Sequence, residues 1–328
     1  MFLLLLLSPV SLAQQPPSSG PTAIQVQTSL VLVDVISQDP RNGLPVRDFN
    51  REDFRVFNDG KEVALSAFDA GARYDTRPVT IWLVVICNEG GKNGGSAEYV
   101  GNEAMFRPAL DQLDKRDIVG VAHWCDNGET RLDLPPTEDR DQPIRILAET
   151  IKPIPFHIGG DSDAVGEVAF RKLVRLIIQD AHRRNPQPLP VIVFLDGDNT
   201  GQPHTELDEV VNDFLETSGI VFGIKDTRAP RGPLFFIGEI AQIEHYIAKQ
   251  TGGQYFLASP EHYAAALEAI LMQLHFRYEL GFAPPAIDGK RHAIRIELTK
   301  RARAQDKGVR LRFRTEYIAV PEPPDWTR

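Results

Sequence analysis

The chain has 328 residues, 42% of them hydrophobic and 25% charged, and a formal charge of −9. Its length fits one large domain with additions or two to three small ones, and its composition excludes disordered and collagen-like chains. The acidic balance argues against a general nucleic-acid binder, whose phosphate contacts need a basic footprint.

In chain order, an apolar run over Phe2–Leu7 is followed by Ser11-Leu12-Ala13, small residues placed as at a cleavage site. This predicts a signal peptide over 1–13 and export to the periplasm or beyond, although no Lys or Arg precedes the run. The run is too short to span a bilayer, and nothing later approaches the ~18 apolar residues a membrane helix needs. A Pro/Ser linker over 14–23 leads to a β-rich unit over 24–76. There Ser29–Ser37, Asp53–Phe57 and Glu62–Phe68 read as strands, and Asn58-Asp59-Gly60 reads as a hairpin turn because Asp-Gly tolerates positive φ.

The pattern then changes. Val79–Ile86, Ile118–Trp124, Thr130–Leu134, Val191–Leu195, Gly219–Ile224 and Gln254–Leu257 read as strands. They alternate with helices over Asn102–Leu113, Ile144–Ile151, Gly166–His182, Glu206–Thr217, Ile237–Gln250 and Pro260–Leu274. Gly166–His182 is the most amphipathic, with Val165, Val168, Phe170, Leu173, Leu176 and Ile177 forming one stripe. Gly252-Gly253 supplies a helix stop. This alternation predicts an α/β fold: a doubly wound, mostly parallel sheet with helices on both faces. Past 276 the pattern returns to antiparallel β, with strands over Phe276–Gly281, His292–Leu298 and Val309–Tyr317. In the last of these Val309, Leu311 and Phe313 are expected inside and Arg310, Arg312 and Arg314 outside.

The layout from IWLVVI through VIVFLDGDNT and GIVFGI resembles a von Willebrand factor type A domain over 77–275. The flanks DFNREDFRVFNDGKEVALSAF and FRYELGF…KRHAIRIELTK resemble exported bacterial proteins related to that family and common in acidobacteria. The resemblance implies adhesive or protein–protein binding at the carboxyl ends of the strands. It also implies a divalent-cation site, in which a D-x-S-x-S tract, a threonine and an aspartate supply oxygen ligands. Here the tract reads Cys87-Asn88-Glu89-Gly90-Gly91, the threonine loop reads Gly159-Gly160-Asp161-Ser162, and Asp196 alone matches well. Glu89, Asp161 and Asp196, with Asp163 and Asp198, form either a rebuilt acidic cation site or a set of solvated carboxylates. The second is expected, because Cys87 is a soft donor unsuited to Mg²⁺. The expected binding face therefore comprises Asn88, Glu89, Asp161, Ser162, Asp163, Asp196, Asp198 and Asn199, with no metal and no other cofactor.

Cys87 and Cys125 are the only cysteines. The resemblance places them on neighbouring strands, where they form either a disulfide or two buried thiols. Gly90-Gly91-Lys92-Asn93-Gly94-Gly95 fails both nucleotide-loop templates, and neither H-E-x-x-H nor G-x-S-x-G occurs. His123 reads as a packed histidine rather than a ligand. The basic tail offers Arg295, Arg310, Arg312 and Arg314 as an anion-binding strip, or as a charged face that blocks edge pairing or docks on the acidic domain. The resulting expectation is an exported, non-enzymatic module that binds a protein partner. A metal-assisted hydrolase using the loop carboxylates and a structural envelope component are the alternatives.

Overall fold

The computed structural model describes residues 30–70, 77–87, 103–125, 130–150, 162–184, 188–195, 207–226, 243–306 and 308–319. The predicted signal peptide lies outside them. Among the described residues no helix is long and apolar enough to cross a membrane.

Four strands come first: β1 (Val31–Gln38), β2 (Phe54–Asn58), β3 (Lys61–Val63) and β4 (Ala67–Asp69). The α/β part follows with β5 (Val79–Cys87), α1 (Glu103–Leu110), β6 (Ile118–Cys125), β7 (Thr130–Thr137), α2 (Asp141–Thr150) and α3 (Ser162–His182). It continues through β8 (Leu189–Leu195), α4 (Leu207–Thr217), β9 (Ile220–Asp226), α5 (Ile243–Thr251), β10 (Tyr255–Ala258) and α6 (Tyr263–His275). The chain ends in β11 (Tyr278–Phe282), β12 (Arg291–Leu298), α7 (Lys300–Gln305), β13 (Arg310–Arg312) and β14 (Glu316–Ile318).

The six strands β5–β10 form one sheet in the order β10-β9-β8-β5-β6-β7, parallel throughout except for β7. This is the expected doubly wound α/β fold with an antiparallel edge. Both faces are covered, which is why β8, LPVIVFL, is apolar and buried at every position. Ile81, Leu83 and Val85 pack with Phe106 of α1, Leu147 of α2 and Leu267 and Ile270 of α6. Trp82 and Val84 point the other way, to Phe170, Leu173 and Ile177 of α3 and Phe214 of α4. The stripe expected on α3 is corrected at one end: Val168 is 63% exposed, while Phe170, Leu173 and Ile177 are fully buried.

The two flanks are antiparallel β, as expected, and they combine. β1 pairs with β11 and β2 with β12, giving two four-stranded sheets, β13-β1-β11-β4 and β14-β12-β2-β3. Val33, Val35, Val56, Tyr278, Leu280, Phe282, Ile294 and Ile296 fill the space between them. The α/β domain is thus inserted into a β-sandwich built from both ends of the chain. The β2–β3 hairpin turns on Asp59 and Gly60, with φ of 47° and 79°, as its Asp-Gly predicts.

Two predicted strands are each split in two. Glu62–Phe68 breaks because β3 pairs in one sheet and β4 in the other. Val309–Tyr317 breaks likewise: β13 joins β1, and β14 joins β12. The outward placement of all three tail arginines is therefore corrected. Arg314 sits at the crossing between sheets, is buried, and donates to the carbonyls of Leu215 and Leu32, each at 2.6 Å. Arg312 is partly buried and donates to Gln273 Oε1. Burial lowers the pKa of both guanidinium groups to about 10, so they stay charged at neutral pH. Arg295 and Arg310 are exposed, and Arg295 lies over the Phe57 ring, 3.7 Å from its centroid.

Candidate functional site

Strand order reverses between β5 and β8. The crossover from β5 runs to β6 on one side, and the later strands β8, β9 and β10 extend the sheet on the other. A crevice opens outside the carboxyl ends of the strands at such a switch point, and open α/β sheets bind ligands there. In this chain it lies beyond Cys87 at the end of β5 and Leu195 at the end of β8. Both strands are buried along their described lengths, so they form a rigid base for the segments that leave them.

The residues expected to form the binding face divide into two groups. Asn88, Glu89, Asp161, Asp196, Asp198 and Asn199 lie outside the described residues. They follow directly on β5, precede α3, or follow directly on β8. Ser162 and Asp163 are the first two residues of α3, where the structure describes the backbone alone. Cys87 and Cys125 are register partners at the ends of the parallel strands β5 and β6.

Sequence reasoning treated His123 as packing and did not single out Asp133. His123 is buried, and its Nδ1 lies 2.8 Å from Asp133 Oδ2. A carboxylate accepts, so Nδ1 donates. Asp133 is itself held from the other side, with Arg131 Nε donating to Oδ1 at 2.9 Å. The cause is a β-bulge: Val121 pairs with Leu134 and Ala122 with Leu132, leaving Asp133 as the extra residue. The sequence signal was a charged residue inside an alternating strand, TRLDL.

The resemblance implies a hard divalent cation, and the donors present do not fit it. Mg²⁺ and Ca²⁺ take oxygen ligands, and the strand-end position that would carry the first carboxylate holds a thiol, Cys87. Among the residues whose side chains are described, no three His, Cys, Asp or Glu groups gather into a metal site, and the thiols of Cys87 and Cys125 lie outside that set.

No protein-family model matches the chain, and no curated protein matches it. Solved structures do. The conserved hypothetical protein BatB of Bacteroides thetaiotaomicron is 15% identical, with a TM-score of 0.41, over 60% of this chain and 97% of its own. A von Willebrand factor type A protein of Catenulispora acidiphila is 10% identical, with a TM-score of 0.41, over 90% of this chain and 74% of its own. The vWF domain of the type V pili tip protein Mfa5 of Porphyromonas gingivalis is 11% identical, with a TM-score of 0.38, over 61% of this chain and 95% of its own. Two of the three bear the von Willebrand factor type A name. The resemblance carried by the sequence is to the same family. These likenesses concern the fold and say nothing of what this chain binds.

Proposed function

We propose that the chain is an exported, non-enzymatic interaction module. It captures a protein partner through the segments at the carboxyl ends of β5, β8 and β9, and it needs neither an organic cofactor nor a hard divalent cation for this. The observation that supports the reading is the reversal of strand order between β5 and β8. That reversal opens a crevice beside the two acidic, glycine-bearing tracts Asn88–Ser96 and Asp196–Gly201. Export rests on the leader pattern in Phe2–Ala13. The thiol at the end of β5 supports independence from a hard cation.

The test compares the native chain, immobilised, with a variant carrying Glu89→Ala, Asp161→Ala, Asp196→Ala and Asp198→Ala. Envelope protein is passed over both, with and without a chelator. The expected result is a partner retained by the native chain in either buffer and lost by the variant. Equal retention by both chains refutes the proposed face, and retention abolished by the chelator refutes independence from metal.

A further inference from the structure

We propose that His123, Cys125 and Cys87 form a binding site for a thiophilic divalent ion of the Zn²⁺ class. Such a site is distinct in chemistry from an oxygen-ligand site. Three independent features of the backbone and side chains converge on it.

The first is register. Cys87 and Cys125 are paired positions on parallel neighbouring strands, and Val85 pairs with His123 two residues earlier. Side chains alternate along a strand, so Cys87, Cys125 and His123 share one face of the sheet. It is the face to which Leu83, Val85, Val119 and Val121 contribute.

The second is spacing. Adjacent strands lie about 4.8 Å apart, and the Cα–Cβ bonds of register partners in a parallel pair run side by side. A disulfide draws its two Cβ atoms to about 3.5–4.5 Å, closer than that arrangement offers. A tetrahedral ion with Zn–S bonds of about 2.3 Å separates its sulfurs by about 3.8 Å and bridges the pair without moving the strands.

The third is the second shell. The bulge at Asp133 places a buried carboxylate on Nδ1 of His123, at 2.8 Å, and Arg131 steadies that carboxylate. A carboxylate on Nδ1 fixes the tautomer that makes Nε2 the ligand atom and raises its basicity, as it does for metal-bound imidazoles. Asp133 lies opposite the part of β6 that precedes His123, so Nε2 is on the side of the ring toward Cys125. Bulges recur where a sheet re-aims a side chain beside a site.

Two thiolates and one imidazole match the Cys₂His set of zinc sites that keep a fourth position open. Binding releases the two thiol protons as the ion enters, so affinity rises with pH. The inference does not rest on partner capture, because ion binding is read on the isolated chain.

The test uses the full chain, purified anaerobically with a chelator and then desalted. Thiols are first counted after denaturation without reductant, and two are expected. Co²⁺ is then titrated in as the probe. The expected result is a thiolate-to-cobalt charge-transfer band with the intense visible bands of tetrahedral coordination, bleached by one equivalent of Zn²⁺. Cys87→Ser and Cys125→Ser should abolish the charge-transfer band while circular dichroism shows an unchanged fold. Asp133→Asn should keep the band and weaken affinity about tenfold to a hundredfold. Absence of titratable thiols shows a disulfide and overturns the site. So does absence of the band with both thiols free, and so does a band indifferent to the cysteine substitutions.

Discussion

Arg277 donates through Nε to Oδ1 of Asp34 at 2.5 Å, and this buried pair joins the β-sandwich to the inserted α/β domain. Asp34 lies on β1. Its other oxygen accepts from Arg77 at 3.0 Å, and Arg277 also donates to the carbonyls of Leu274 and Arg77. Arg77 precedes β5 and Arg277 follows α6, so one carboxylate ties both crossings of the chain between the two units. Burial acts to raise the pKa of Asp34, but the charges of Arg77 and Arg277 outweigh it and hold the carboxyl below its ordinary value.

Removing that carboxylate strands buried guanidinium charge. Asp34→Ala should cost about 3–5 kcal/mol of unfolding free energy, measured by urea denaturation at neutral pH. The folded carboxyl ionises at a lower pH than its unfolded counterpart near 3.9, so its contribution is complete above about pH 5 and disappears as pH falls through the folded value. The gap between native chain and variant should therefore close in acid. A gap under about 1 kcal/mol, or one that persists unchanged in acid, would show that the pair does not hold the junction.

His292 titrates in the opposite sense. Its ring nitrogens face Asp59 Oδ2 at 2.8 Å and Asp288 Oδ1 at 3.0 Å, and the ring stacks on Tyr317. Hydrogen bonds to Asp59 and then Asp288 raise its pKa. A raised folded pKa contributes stability that is present in full below about pH 6.5 and is lost as pH rises through the folded value. The melting temperature of the native chain should exceed that of His292→Gln at pH 5.5. The excess should shrink toward zero in alkaline buffer, corresponding to about 1 kcal/mol or less for so solvated a group. A difference that grows with pH contradicts the assignment.

The α/β part was legible because its signals are local. A buried parallel strand reads as an apolar run, and each helix carries its own stripe and stop. The sandwich was not legible as one body, because its pairings join residues such as Val33 and Leu280, which have no local signature. Alternation in Val309–Tyr317 suggested a single strand with arginines outward, and the crossing between sheets that buries Arg314 overrode it. Asp34 within SLVLVDVIS and Asp133 within TRLDL were the visible clues to buried charge. Each is an acid in a run whose pattern would otherwise place an apolar or neutral residue. The acidic loops were read from composition, and the described residues bring their anchoring strands together without reaching most of the loops themselves.

Two glycines should resist substitution for different physical reasons. A Cβ on Gly120 would lie 2.7 Å from the Trp82 ring, whose side chain is fully buried in the central strand. A Cβ on Gly253 would lie 1.8 Å from the backbone carbonyl oxygen of Val221. Gly120→Ala should cost about 1–3 kcal/mol as overpacking, with tryptophan fluorescence altered in the native state. Gly253→Ala should cost more, since backbone must move and the helix-ending bond from Gly253 N–H to Ala248 O is at stake. Gly60, with open space around it, provides the contrast: its penalty comes from a φ of 79° alone. Equal stability of the Gly120 and Gly253 variants to the native chain, in urea, would contradict the packing described.

Hard cations should leave the protein unmoved. An ion present at a hundred times its dissociation constant stabilises its host by about 2.7 kcal/mol, which raises a melting temperature by several degrees. Mg²⁺, Mn²⁺ and Ca²⁺ are expected to produce no such rise in calorimetry, because the strand end that would offer oxygen offers the thiol of Cys87 instead. Zn²⁺ is the informative contrast. It should raise the melting temperature of the native chain but not that of Cys87→Ser, and Asp196→Ala should behave as the native chain does with every ion. A rise with Mg²⁺ that Asp196→Ala abolishes would establish a working oxygen-ligand site and sink the reading of a metal-independent binding face.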